Sequence, residues 1–211
     1  MAKAIVHIGA GKCGSSAIQA SLSAVPQLAN RTGTEFRYVV ADANFRMLPV
    51  CEIVKRATLS RSGYVKSPNP RRLCDMTGEV WSTLCASLEA DIAAGRILVL
   101  SSEDYFMASE LFAEAHLFDR LGASATILAY VRPQVDYLNS AWWQWGAWTG
   151  ERFDRWLAKR LGRAAWARHI VRWKDVPGVQ DIIIRPLPKD VVSDFYECVL
   201  NAQAPLEVRR R

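Results

Sequence analysis

Five short runs of β-branched and aliphatic residues constrain the architecture of this chain most: residues 3–8, 36–40, 96–101, 125–131 and 181–185. Their apolar residues are largely consecutive rather than alternating, the pattern of strands covered on both faces in a parallel sheet. Gly95 leads into the third run, Arg132-Pro133 closes the fourth and Pro186 closes the fifth. Between them lie segments of helical character at 15–23, 45–57, 77–94, 134–148, 151–161, 164–173 and 189–200, the third with Val80, Leu84, Leu88 and Ile92 four apart. The alternation predicts one α/β domain over residues 1–211, with a central, mainly parallel sheet of about five strands flanked by helices through right-handed crossovers. The polar, proline-containing stretch 60–72 reads as a surface loop.

The first run breaks into a turn, Gly9-Ala10-Gly11-Lys12-Cys13-Gly14-Ser15-Ser16, which then opens a helix. That order builds an anion site from backbone N–H groups and the positive end of a helix. The net charge of +6 fits an anionic ligand, but the basic residues are dispersed except at Arg209-Arg210-Arg211, so nucleic acid is not expected. Five cysteines, none spaced as CxxC, make a zinc site or redox dithiol unexpected and suit a reducing, cytoplasmic setting. No apolar run approaches the roughly 20 residues that span a bilayer, and the glycines and Lys12 interrupt the first run too early for a signal sequence.

Two familiar phosphate loops fit poorly. A triphosphate loop needs glycine five positions before Gly11 and a hydroxyl after the lysine, where this chain has Val6 and Cys13. A dinucleotide loop would use Gly9, Gly11 and Gly14, and only Asp42 offers an acid near the end of the second strand.

Lys12-Cys13-Gly14-Ser15-Ser16, read as K-x-G-[ST]-[ST], resembles the 5′-phosphosulfate loop of sulfotransferases that use 3′-phosphoadenosine-5′-phosphosulfate (PAPS). Arg132 after the fourth strand and Ser140 eight residues on resemble that family's 3′-phosphate pair. His7-Ile8-Gly9, Ser101-Ser102-Glu103 and Asp181-Ile182-Ile183-Ile184-Arg185-Pro186 followed by a helix look like a bacterial subgroup of sulfotransferase-like proteins. The resemblance implies a P-loop NTPase-like architecture and sulfuryl transfer from PAPS to an acceptor hydroxyl on a carbohydrate or saccharide-bearing lipid, leaving adenosine 3′,5′-bisphosphate. It implies cofactor binding by Gly11, Lys12, Cys13, Gly14, Ser15, Ser16, Arg132 and Ser140, and catalysis by Lys12 with Glu103 as general base; Asp104 competes for the last role. No metal is required. Cys13 and the serine pair depart from the commoner Ser/Thr and Thr-Thr. The family's C-terminal glycine- and lysine-rich loop is not recognisable, and Arg209–Arg211 is a poor substitute. The alternatives are a P-loop nucleotide kinase or NTPase, and a non-catalytic nucleotide-binding relative.

His7 inside the first strand reads as a packed core histidine, with a secondary role in orienting the turn. The tryptophans of Trp142-Trp143-Gln144-Trp145-Gly146-Ala147-Trp148 cannot all face one side of a helix. Trp142, Trp145 and Trp148 are expected to turn inward. Trp143 is the first candidate for a sugar-stacking or lipid-facing wall, which would allow a peripheral membrane contact. Trp156, Trp166 and Trp173 read as core anchors of the helices that follow.

Overall fold

Strand β1 (Ala4–His7) is buried along its whole length, because parallel neighbours flank it on both sides. The computed structural model describes residues 3–75 and 78–205, with the backbone alone for 78–80. Among these, β2 (Gln27–Ala29), β3 (Glu35–Tyr38), β4 (Ile97–Ser101), β5 (Ala125–Val131) and β6 (Val179–Pro186) join β1 in one six-stranded sheet of order β2-β3-β4-β1-β5-β6. All pairings are parallel except the β2–β3 hairpin. The five expected strands form. The sixth, Gln-Leu-Ala, carries no β-branched residue and exists through its pairing with β3.

The chain leaves β1 through α1 (Ser15–Ala24) towards β2 and β3. It returns to β4 through α2 (Val50–Leu59), α3 (Pro70–Cys74) and α4 (Gly78–Ala93). It then steps over β1 to β5 by way of α5 (Ser109–Ala115) and α6 (Leu117–Arg120), and reaches β6 through α7 (Gln134–Ala141), α8 (Phe153–Arg160) and α9 (Trp166–Val171). Connections that diverge around β1 leave a crevice beyond its carboxyl end, where open α/β sheets bind ligands.

Several elements differ from expectation for local reasons. Helix α2 starts after Pro49, which serves as its N-cap, because Phe45 sits in the left-handed region and stops a helix from beginning there. In α4, Leu84 and Leu88 are buried and Ile92 partly so; Thr77 and the Val80 side chain lie outside the described residues, as does Arg209–Arg211. The stretch 60–72 is more than a surface loop. Ser67 is buried, donating its N–H to Ser101 O (3.1 Å) and its hydroxyl to Val39 O (2.8 Å), while Val65 exchanges two hydrogen bonds with Ser23 Oγ. Serine hydroxyls that close backbone groups at the sheet end let this polar segment run inside, and its last residues form α3.

Trp156, Trp166 and Trp173 are buried as expected, Trp166 edge-on to Tyr137 and Trp173 against Phe112. Helix α7 gives way to a π-helical turn over Trp142–Gly146. Trp142 packs on Phe153 and Trp156, and a Cβ at Gly146 would collide with the Trp142 ring. The wider turn rotates the others outward: Trp143, Trp145 and Trp148 are 60%, 40% and 80% exposed, so Trp145 and Trp148 do not enter the core. No helix among the described residues is long and apolar enough to cross a membrane.

A polar clasp joins the last helix, α10 (Val191–Asp194), to the sheet. Asp194 takes a bidentate pair from Arg185 (2.6 Å each) and the Tyr130 hydroxyl at 2.7 Å. Burial opposes its charge, but these donors hold the carboxyl below its ordinary range. Asp194→Ala strands an arginine and a tyrosine hydroxyl, and is expected to cost about 2 kcal/mol of stability. Urea unfolding of the variant within a few tenths of wild type would show the clasp to be idle.

Candidate functional site

The turn after β1 is short of hydrogen bonds. Of the backbone amides of residues 9–16, only that of Cys13 donates to a described partner, Ala10 O at 3.2 Å. Gly14 is the N-cap of α1 at φ 84°, with no side-chain cap and no acidic residue in the first turn. A Cβ there would sit 2.9 Å from Val191 Cγ1, so α10 seats against a bare glycine. Lys12 itself has φ 66°, an uncommon conformation for a residue with a side chain. Arg132 braces it, donating from Nη1 to Lys12 O at 3.3 Å.

The expected loop residues divide. Gly11, Lys12, Gly14, Ser15 and Ser16 line a cleft of about 1010 Å³ that also takes in Glu103, Arg132 and Ser140. Cys13 does not: its side chain is fully buried and its thiol is pushed up to about 11 by burial, against the pull of Arg132. Ser15 is also turned inward, its hydroxyl at 3.5 Å from Ala10 O, so its free donor is the amide. Ser16 Oγ lies 3.3 Å from the Tyr64 hydroxyl.

Glu103 stands at the start of a 3₁₀ turn after β4. Gln19 Nε2 donates to one carboxylate oxygen (3.1 Å) and Lys66 Nζ to the other (3.3 Å), while Lys66 also bridges to Asp104 at 2.9 Å. Burial works against ionisation of Glu103, but the Gln19 hydrogen bond and the Lys66 ammonium hold it below the ordinary glutamate value. It is therefore an ionised acceptor at neutral pH with modest basicity. Asp104 lines the same cleft.

Sequence reasoning missed the rest of the lining. Tyr64, Asn69 and Arg71 come from the segment expected to be a surface loop, Tyr137 and Arg163 from the far wall, and Trp145 takes the place expected for Trp143. Arg163 carried no motif. Its position follows from α7 and the short helical turn at Leu161–Ala164 meeting at the cleft. Among the described residues, Lys12, Arg71, Arg132 and Arg163 form no ion pair, whereas both carboxylates share Lys66. Such an arrangement can attract a ligand with several negative charges.

His7 lies beneath the turn. Its Nδ1 is 2.8 Å from Ser101 Oγ, its Nε2 is buried without a partner, and a Cβ at Gly9 would come within 3.1 Å of that ring. Burial pushes the imidazole down to about 4, against the opposing Glu103 charge. The unfolded chain, titrating near 6.5, takes up the proton first, so stability falls as pH drops from 6.5 towards 4. The full loss is about 3 kcal/mol, and Glu103 adds its own loss only at lower pH. His7→Gln is expected to flatten the dependence of urea midpoints on pH across this window; an unaltered slope would assign it to other groups.

No family model, no curated protein and no solved structure matches this chain.

Proposed function

We propose that the cleft binds PAPS and that the protein is a sulfotransferase with a P-loop-like architecture, transferring the sulfuryl group to an acceptor hydroxyl on a carbohydrate or saccharide-bearing lipid. The observation that carries this is the turn of unpaired amides around Lys12, continued in one cleft by Arg132 and Ser140. The donor set fits the group: free N–H groups and an ammonium for a phosphosulfate, with a guanidinium and a hydroxyl for a second phosphate. The central β1 leading through a glycine turn into α1 supports the P-loop-like frame. Five free thiols suit a reducing compartment, and we assign the protein to the cytoplasm.

Bound there, PAPS supplies a sulfuryl group activated by its phosphate leaving group. The amides of Gly14, Ser15 and Ser16 bind and orient the 5′ end through the positive terminus of α1. Lys12 neutralises charge that builds on the departing phosphate oxygen. Arg132 offers the N–H groups it does not spend on Lys12 O, together with Ser140, to the 3′-phosphate. Glu103 accepts the proton of the acceptor hydroxyl on a lone pair that its Gln19 and Lys66 donors leave free. Bound negative charge raises a neighbouring carboxyl, so occupancy of the cleft makes Glu103 a stronger base than it is in the free protein. A magnesium-dependent nucleotide kinase fits less well, because the residue after the lysine buries its side chain away from the cleft.

Calorimetric titration with adenosine 3′,5′-bisphosphate is expected to show binding without magnesium, weaker by about ten-fold or more in Lys12→Ala. Glu103→Gln is expected to retain this binding while lowering sulfuryl transfer from PAPS by about 100-fold or more. Binding with no transfer to any carbohydrate or glycolipid acceptor would favour a non-catalytic nucleotide-binding relative. Absence of binding, or preference for magnesium–ATP, would overturn the assignment.

A further inference from the structure

The buried face of helix α1 includes Ser15, Ile18, Gln19 and Leu22, at the spacing that normally carries apolar side chains into a core. Gln19 is the misfit, a long amide fully buried where a leucine or methionine would be expected. Its side chain makes one hydrogen bond, from Nε2 to Glu103 Oε2 at 3.1 Å, and its Oε1 is buried with no partner among the described residues. A glutamine kept for stability would have both ends of its amide satisfied. An apolar side chain of the same length would remove the orphaned oxygen and its cost.

The other groups around Glu103 hold it less firmly. Lys66 reaches Oε1 from a side chain that is 41% exposed, and it divides its ammonium between Glu103 and Asp104. His7 on β1 acts on Glu103 only through space, and burial keeps its ring neutral. The Tyr38 hydroxyl on β3 is spent on Val65 O. Among the described side chains, Gln19 alone reaches the carboxylate from inside the core, with its stem fixed by packing. One turn back along the same helix stand Ser15 and the turn that lines the cleft. A single helix thus sets the distance between the amides at its N-terminus and the carboxylate.

We propose that Gln19 is a positioning residue: from the core it holds the Glu103 carboxylate at the cleft, in fixed register with the turn around Lys12, before any acceptor arrives. The role rests on the proposed sulfuryl transfer, in which Glu103 receives the proton of the acceptor hydroxyl. Gln19 does not line the cleft, so it acts through Glu103. A core position left half-satisfied in order to aim one carboxylate is the mark of a residue placed for function rather than for stability.

The test compares the full chain with Gln19→Met, a substitution of similar length that removes the donor and the orphaned oxygen together. Carbon-13 NMR of the glutamate carboxyls, with the Glu103 signal assigned through Glu103→Gln, follows the titration of Glu103. Its midpoint is expected to rise by about half a pH unit or more in Gln19→Met, because a hydrogen bond that favours the ionised form is gone. Lys66, Asp104, His7 and Tyr38 are common to both proteins, so the difference reports Gln19. The urea midpoint at neutral pH is expected to stay within a few tenths molar of wild type, and binding of adenosine 3′,5′-bisphosphate within about two-fold. An unmoved Glu103 midpoint overturns the proposal. A variant that fails to fold, or that loses the nucleotide, overturns it as well by making Gln19 a structural support of the turn. If neither protein binds the nucleotide and the Glu103 midpoint still rises, the PAPS assignment falls and the hold of Gln19 on Glu103 stands.

Discussion

The fold is organised around a turn that does not satisfy its own backbone. Between β1 and α1 the amides of residues 9–16 are almost all unpaired, a state that a free loop would escape by rearranging. It persists because both ends are fixed. β1 is locked between β4 and β5, and α1 is anchored by Ile18 and Leu22 in the core. Val191 closes on the bare Gly14, and the Asp194 clasp keeps α10, which carries Val191, against the sheet. Arg132 completes the hold from β5. Remote parts of the chain thus serve one purpose, keeping donors aimed into a cleft.

Much of this was legible in the sequence. Consecutive apolar residues announce buried parallel strands. All five runs form strands with a parallel partner and four are largely buried, but the fifth, β6, lies at the sheet edge and has no buried residue, because it has a neighbour on one side only. The glycine turn was readable because Gly9 and Gly14 occupy positive φ, which only a few residue types adopt without strain. That Lys12, Glu103 and Arg132 converge on one cleft was legible because a strand end is a local feature and the α/β layer puts all such ends on one edge. β2 was not legible: three residues without β-branching hold a strand only through a partner.

What the sequence hid depends on contacts between distant segments. Lys66 and Tyr64 belong to a stretch whose polarity suggests solvent, yet Ser23, Val39 and Ser101 draw its backbone inward, bringing Tyr64 to the cleft and Lys66 onto the carboxylates of Glu103 and Asp104. No local pattern encodes that. The tryptophan run was misjudged for a different reason. An ordinary 3.6-residue period fixes which rings point inward, and a single π-helical turn changes the phase. Gly146, pressed on Trp142, is the residue that permits the change, and its effect is to exchange Trp145 for Trp143 at the cleft wall.

The cleft also gathers departures from the usual rules of packing. Lys12 takes a left-handed backbone, α1 begins without a side-chain cap, and among the described residues several amides have no partner and four cations lining the cleft form no ion pair. Each has an ordinary explanation alone and a small cost of its own. Their placement within one cavity does not, because like charges and unpaired donors destabilise the empty protein together. The proposed anionic ligand would relieve three of the four at once, satisfying the amides, the helix terminus and the cations, while the lysine backbone would remain the fixed element that aims its ammonium. On the proposed function, stability withheld from the free protein would be returned on binding. His7 is the exception. Its Nε2 is buried against Gly9 with no partner among the described residues, and burial keeps the ring neutral, so it supports the back of the turn rather than lining the cleft.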